Sequence, residues 1–161
     1  MEAMEIIISK INEAELVLVG IGEMFSSGDD VQAAYRNLSR LLEGKNYFVI
    51  TTCTDDMIYE AGLKKERIVQ PLAEEEKTEA WETYMKWLQG TLNRKLFVLE
   101  LGVGLKYPEV IRFPFEKIAY FNQKADFCRV HDRLFQLPAE LGGKGNSIQL
   151  NPIRLLADME I

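Results

Sequence analysis

Two pairs of glycines, each closing an apolar run, are the residues best placed to do chemistry. Gly20-Ile21-Gly22 follows Leu16-Val17-Leu18-Val19, and Gly102-Val103-Gly104 follows Leu96-Phe97-Val98-Leu99-Glu100-Leu101. Glycine has no Cβ, so Gly20 would permit a sharp turn and Gly22 would let backbone N–H groups approach an anion closely. A third apolar run, Tyr47 to Thr51, ends in Thr52-Cys53-Thr54-Asp55, and a fourth ends at His131. Asp55 would act as a base or orient a sugar hydroxyl, or else cap a short helix starting at Asp56. A lone histidine such as His131 is commonly a hydrogen-bonded structural residue; as a ligand it would stack on or bond to a purine. Cys53 reads as a small buried side chain, since nothing beside it in sequence would activate a thiolate.

These loops need a scaffold that brings them to one place. Runs of four to seven apolar residues, rich in β-branched types, predict strands buried on both faces, as in a parallel sheet. Between them lie helical patterns. Met4, Ile7, Ile8 and Ile11 share one face of a first helix; Val31, Ala34, Tyr35, Leu38, Leu41 and Leu42 share one face of a second, which Gly44 stops. Asp29 or Asp30 would cap that second helix. Arg67-Ile68-Val69 predicts a short third strand. Glu74 to Gln89 predicts a charged helix with a solvated start at Glu74-Glu75-Glu76, and its Trp81, Tyr84 and Trp87 face either the core or a subunit contact. Val110 to Phe113 and Ser147 to Leu150 predict short strands, Gly142 to Asn146 a mobile loop, and Pro152 to Asp158 a last helix. Strands alternating with helices give a single α/β domain over residues 1–161, a three-layer parallel sheet of Rossmann type. In such sheets ligands bind at the carboxyl ends of the strands, where all four loops would meet.

Composition narrows the function classes. The chain has 161 residues, 47% hydrophobic and 27% charged, as in an ordinary globular domain. Its net charge of −6 disfavours nucleic acid and anionic membrane surfaces as partners. No apolar run approaches a membrane span, no signal peptide is expected, and two isolated cysteines fit a reducing cytoplasm. Cys53, Cys128 and His131 make three Cys/His ligands where a structural zinc site needs four, so no metal is expected. The Gly-x-Gly after the first strand is only part of a dinucleotide fingerprint, because Phe25 stands where the third glycine belongs.

The order of these segments resembles the sirtuin family of NAD-dependent deacylases and ADP-ribosyltransferases, especially its macrodomain-linked microbial branch. Gly20-Ile21-Gly22 and Ser27-Gly28 stand where the family has Gly-Ala-Gly and a later Ser/Ala-Gly. Ile50-Thr51-Thr52-Cys53-Thr54-Asp55 is similar to its Thr-Thr/Gln-Asn-x-Asp strand end, and Ala61-Gly62-Leu63 to its Ala-Gly-Leu. Leu99 to Gly104, with Pro108 and Phe113-Pro114-Phe115, resembles the branch's Glu-Leu-Gly-Val-Gly-x-Asn-Thr-Pro and Tyr-Pro-Phe. The resemblance covers most of residues 5–157. It implies the NAD-binding core shared with deoxyhypusine synthase, lacking the zinc module, and it implies NAD or ADP-ribose as ligand. Gly20, Ile21, Gly22, Glu23, Thr52, Cys53, Asp55, Gly102, Val103, Gly104, Lys106 and His131 would line that site.

The departures from the family are specific. Cys53 replaces an asparagine beside the nicotinamide ribose; Lys106 and His131 stand near two further asparagines close to adenosine. Gln70 lies near the usual catalytic histidine, as a glutamine does in the microbial branch. An amide does not accept a proton near neutral pH, so deacylation is not expected. Weak ADP-ribosyl transfer or NAD cleavage would fall to Asp55 and Gln70. Glu23 would stand by the pyrophosphate, and a carboxylate ~5 Å from a phosphate charge repels it by ~3 kcal/mol at an effective dielectric of ~20. Glu23 must then point away, be offset by Lys106 or Arg112, or mark a lost site. The alternative from another class is an interaction or assembly module whose nucleotide site has decayed.

Overall fold

The computed structural model describes residues 2–73 and 78–160. The Glu74-Glu75-Glu76 helix start lies outside the described residues. Six strands form one parallel sheet: β1 (Leu16–Ile21), β2 (Asn46–Thr51), β3 (Ile68–Val69), β4 (Leu96–Leu101), β5 (Asp126–Val130) and β6 (Gly145–Ile148), in the spatial order β3-β2-β1-β4-β5-β6. Strand order reverses between β1 and β4, the place where open parallel sheets bind ligands at the strands' carboxyl ends. All residues of β1 and β4 are buried, as continuous apolar runs require.

One face of the sheet carries α1 (Glu2–Glu13), α2 (Val31–Leu41) and α5 (Pro152–Ala157). Met4, Ile7 and Ile11 of α1 pack there with Val17, Val19 and Ile21, so the helical spacing read in the sequence faces the sheet. The other face carries α3 (Thr78–Gln89) and α4 (Arg112–Phe121), which pack on Leu18, Ile50 and Val98 through Tyr84, Phe115 and Ala119. Tyr84 and Trp87 lie against Phe48 at 5.5 and 5.1 Å between ring centres, and Trp81 packs on Tyr84 at 5.6 Å. The aromatic face of α3 thus belongs to the core side of the helix.

Three expectations need correction. Val110 to Phe113 is not a strand; Arg112 and Phe113 begin α4. Pro114 sits in the first turn of that helix, where an N–H has no intrahelical acceptor to lose. The last strand is two residues earlier than expected, at Gly145–Ile148, so Gly145 and Asn146 are paired with β5 rather than in a loop. Before it, Ala139–Lys144 forms a 3-10 segment bent at Gly142, whose φ is +54°. Asp30 stands at the N-cap of α2 as anticipated, but its carboxylate pairs with Arg154 at 2.9 Å instead of capping the helix.

Candidate functional site at the β1/β4 switch point

The two glycine turns do meet at one rim of the sheet. β1 and β4 run in register, with Ile21 opposite Leu101. Past the strand ends, Gly22 N–H donates to Leu101 O at 2.9 Å and Met24 N–H to Gly102 O at 3.3 Å. A Cβ on Gly22 would lie 2.3 Å from Val103 Cα and 2.4 Å from Gly102 O. Gly22 is a glycine because the β4 turn lies against it. Gly102 holds φ at +65°, in the left-handed region, and gives its N–H to Val130 O at 2.9 Å. Gly20 does not turn the chain: it is inside β1, and its missing side chain leaves room for Phe115 of α4 and for Ile111 just before that helix, whose atoms lie 2.5 and 2.6 Å from the ideal Cβ.

Glu23 reaches across this junction. Its Oε1 accepts the Gly104 N–H. A Cβ on Gly104 would sit 2.9 Å from that oxygen, so the glycine makes room for the carboxylate. Arg112, at the start of α4, is buried and donates to Val103 O at 3.0 Å and to Leu134 O at 3.3 Å. Burial and the like charge of Arg129 lower its pKa, while Glu100, Glu116 and Glu23 hold the charge in place. Glu23 has the weakest influence of these three carboxylates on Arg112, whose guanidinium is spent on the Val103 and Leu134 carbonyls. Lys106 lies over the Tyr107 ring at 5.4 Å.

The β2 end closes the other side. Thr52 N–H donates to Ile21 O at 3.1 Å, Cys53 N–H to Thr51 Oγ1 at 3.0 Å, and Cys53 Sγ to Gly22 O at 3.5 Å. Burial raises the Cys53 pKa and the Asp55 charge adds to that, so the group is a thiol and no activated nucleophile. Among the described residues, the buried hydroxyl of Thr52 meets no hydrogen-bond partner, nor does that of Tyr35. Both expected catalytic side chains are engaged in holding this loop. Asp55 Oδ1 accepts Met57 N–H at 3.0 Å, which is the capping role. Gln70 Nε2 donates to Cys53 O at 3.2 Å and Asp55 O at 2.8 Å, and its Oε1 accepts from the Tyr59 hydroxyl at 3.1 Å.

At the β5 end, His131 Nδ1 accepts the N–H groups of Arg133 and Leu134 at 3.0 and 2.9 Å. An acceptor at Nδ1 puts the proton of the neutral ring on Nε2. Burial lowers its pKa. Leu134 gives its N–H to His131 and its carbonyl to Arg112, which ties His131 to the start of α4.

Beneath the switch point lies a charge cluster that the sequence reading missed. Glu100 and Arg129 are register partners on β4 and β5, almost wholly buried, and bonded by two contacts of 2.6 and 3.0 Å. Arg129 also bonds Glu116 of α4 at 2.8 Å and Gln136 O at 2.8 Å. Burial raises the Glu100 pKa; it also works against the Arg129 charge, but the carboxylate bonds outweigh it there. Arginine does not give up its proton, so the cluster is ionic. The available signal was one opposite charge in each of two otherwise apolar strands, since buried charges occur paired.

Solved structures of Sir2 homologues align with 96% of this chain and 94% of their own. Two are ADP-ribose complexes of single mutants, at TM-score 0.56 and 10% identity and at TM-score 0.56 and 9% identity. A third is a 2'-O-acetyl ADP ribose complex of a triple mutant, at TM-score 0.58 and 8% identity. This chain has a Sir2-like fold. No family model and no curated protein matches its sequence. Within the Sir2-like sheet, Gly22, Glu23, Cys53, Val103 and Gly104 from the loops after β1, β2 and β4 are drawn together at one edge, and His131 after β5 is linked to Val103 through Leu134 and Arg112. Among the described residues, no group of three or more His, Cys, Asp or Glu side chains could hold a metal ion. Nor is any described helix long and apolar enough to cross a membrane.

Proposed function

We propose that this Sir2-like domain binds NAD or ADP-ribose across the β1/β4 switch point and does not carry out ordinary deacylation. The observation that carries the reading is the Glu23 carboxylate seated on the Gly104 N–H, next to the Val103 carbonyl that Arg112 holds. A backbone donor at a strand-order reversal forms a seat for an anion, whoever supplies the anion. The ADP-ribose in the similar structures agrees with this chemistry.

Gln70, near the place of the family's catalytic histidine, offers deacylation no general base. Gln70 is an amide whose two ends are already bonded, and it would act by holding Cys53 and Asp55 in place. Weak NAD cleavage or ADP-ribosyl transfer would rest on the Asp55 carboxylate. One observation favours a second reading, an interaction module with a closed site. The N–H groups of Gly22, Met24, Phe25, Thr52, Cys53 and Gly102 all bond inside the protein. Calorimetric titration with ADP-ribose, NAD and adenosine separates the two. Saturable heat supports the nucleotide-binding domain; no heat at millimolar ligand supports the closed module.

A further inference from the structure

We infer that Glu23 is a tethered competitor for the ligand's diphosphate and thereby sets which nucleotides this domain retains. The inference rests on the nucleotide-binding reading for its ligand, but its geometry is independent of it. Glu23 follows Gly22 directly, so its backbone is fixed by the contact between the β1 and β4 turns. Its side chain then has one short path, onto Gly104 N–H. The Gly22, Met24, Phe25 and Gly102 N–H groups of the same two turns are spent on backbone carbonyls, whereas the Gly104 N–H meets the Glu23 carboxylate. One N–H cannot serve a carboxylate and a diphosphate together, because the two anions repel at contact distance. A diphosphate therefore enters only when Glu23 leaves. An uncharged nucleoside makes no demand on Gly104 and meets no such barrier.

Glu23 thus discriminates by charge. It weakens ADP-ribose and NAD without touching adenosine recognition, and it keeps the seat filled when no nucleotide is present. This is a specificity role, exerted at the position the ligand's phosphates would take.

The test compares wild type, Glu23→Gln and Glu23→Ala by calorimetry with three probes: ADP-ribose, adenosine and inorganic pyrophosphate. Glu23→Gln keeps an acceptor for Gly104 and removes the charge; Glu23→Ala removes both. ADP-ribose affinity should rise about tenfold or more in both variants, as loss of a competing charge predicts. Adenosine affinity should be unchanged, and pyrophosphate should bind the alanine variant more tightly than wild type. Unchanged ADP-ribose and pyrophosphate affinity in a folded Glu23→Gln protein overturns the inference, even if wild type binds nucleotides. Tighter pyrophosphate with no response to ADP-ribose or adenosine in any variant overturns the nucleotide-binding reading and, with it, the nucleotide selectivity inferred here. Should Glu23→Ala fail to fold, Glu23→Gln decides the matter alone.

Discussion

Replacing Gly22 by alanine puts the contact between the two turns to the test. The new methyl would sit 2.3 Å from Val103 Cα, 2.4 Å from Gly102 O and 2.7 Å from Gly102 C. All three are backbone atoms, and the Gly102 segment is itself held by its bond to Val130 O. No rotamer change relieves the clash, so one turn must shift and give up Gly22 N–H to Leu101 O. Overpacking costs ~1–3 kcal/mol in ordinary cores, and this site belongs at the upper end, near ~3 kcal/mol. For a domain of this size that is a fall in Tm of roughly 6–12 °C. Gly20→Ala meets only the Phe115 ring edge and an Ile111 methyl, which can repack, and should cost about half as much. Gly143→Ala meets nothing within 4 Å and should be neutral or slightly stabilising, by up to ~1 kcal/mol. Thermal and urea denaturation of the three variants read the order directly. A Gly22→Ala protein as stable as wild type would refute the direct packing of the turns.

Two further outcomes concern the charged groups. Arg129→Met leaves Glu100 buried without its partner and should cost about 3–5 kcal/mol in urea unfolding, whereas the double variant Glu100→Leu/Arg129→Met should recover most of that loss; a single variant within ~1 kcal/mol of wild type would show that the cluster does not hold β4 to β5. Burial sets the folded pKa of His131 below its ordinary value of about 6.5, so between those two values the unfolded chain binds the proton that the folded chain excludes. His131 therefore lowers stability progressively as pH falls through and below about 6.5, and leaves it unaffected above that range. A His131→Gln variant should lose this pH dependence, measured as the change in urea midpoint across that window; an unchanged profile would remove His131 as its source.

Much of the scaffold was legible because burial imposes period and length. The Met4, Ile7, Ile11 spacing, the unbroken run of β1 and the stop at Gly44 each express one physical constraint, and each appears in the fold. α4 was not legible. Its Phe113-Pro114-Phe115 start has strand-like side chains and a proline that is harmless only in a helix's first turn, which sequence alone does not locate. The positions of the glycine pairs were readable, but their purpose was not. Gly20 and Gly22 give space to α4 and to the β4 turn, partners far away in sequence, and no local pattern encodes such contacts. Glu23 could be flagged as a misplaced charge. Its acceptance of a hydrogen bond from Gly104, 81 residues further on, required the sheet order to be known. The Glu100–Arg129 pair was within reach of the sequence, since a carboxylate inside an apolar strand demands a cation on its neighbour.

The most direct measurement is the amide spectrum of nitrogen-labelled protein during titration with ADP-ribose, read at Gly104. If the switch point is an anion seat that the ligand takes over from Glu23, the Gly104 resonance moves saturably, with Glu23 and His131 responding along the same curve. If the Gly104 resonance stays fixed while ADP-ribose reaches millimolar concentration, the seat is closed and the domain does not bind nucleotides there.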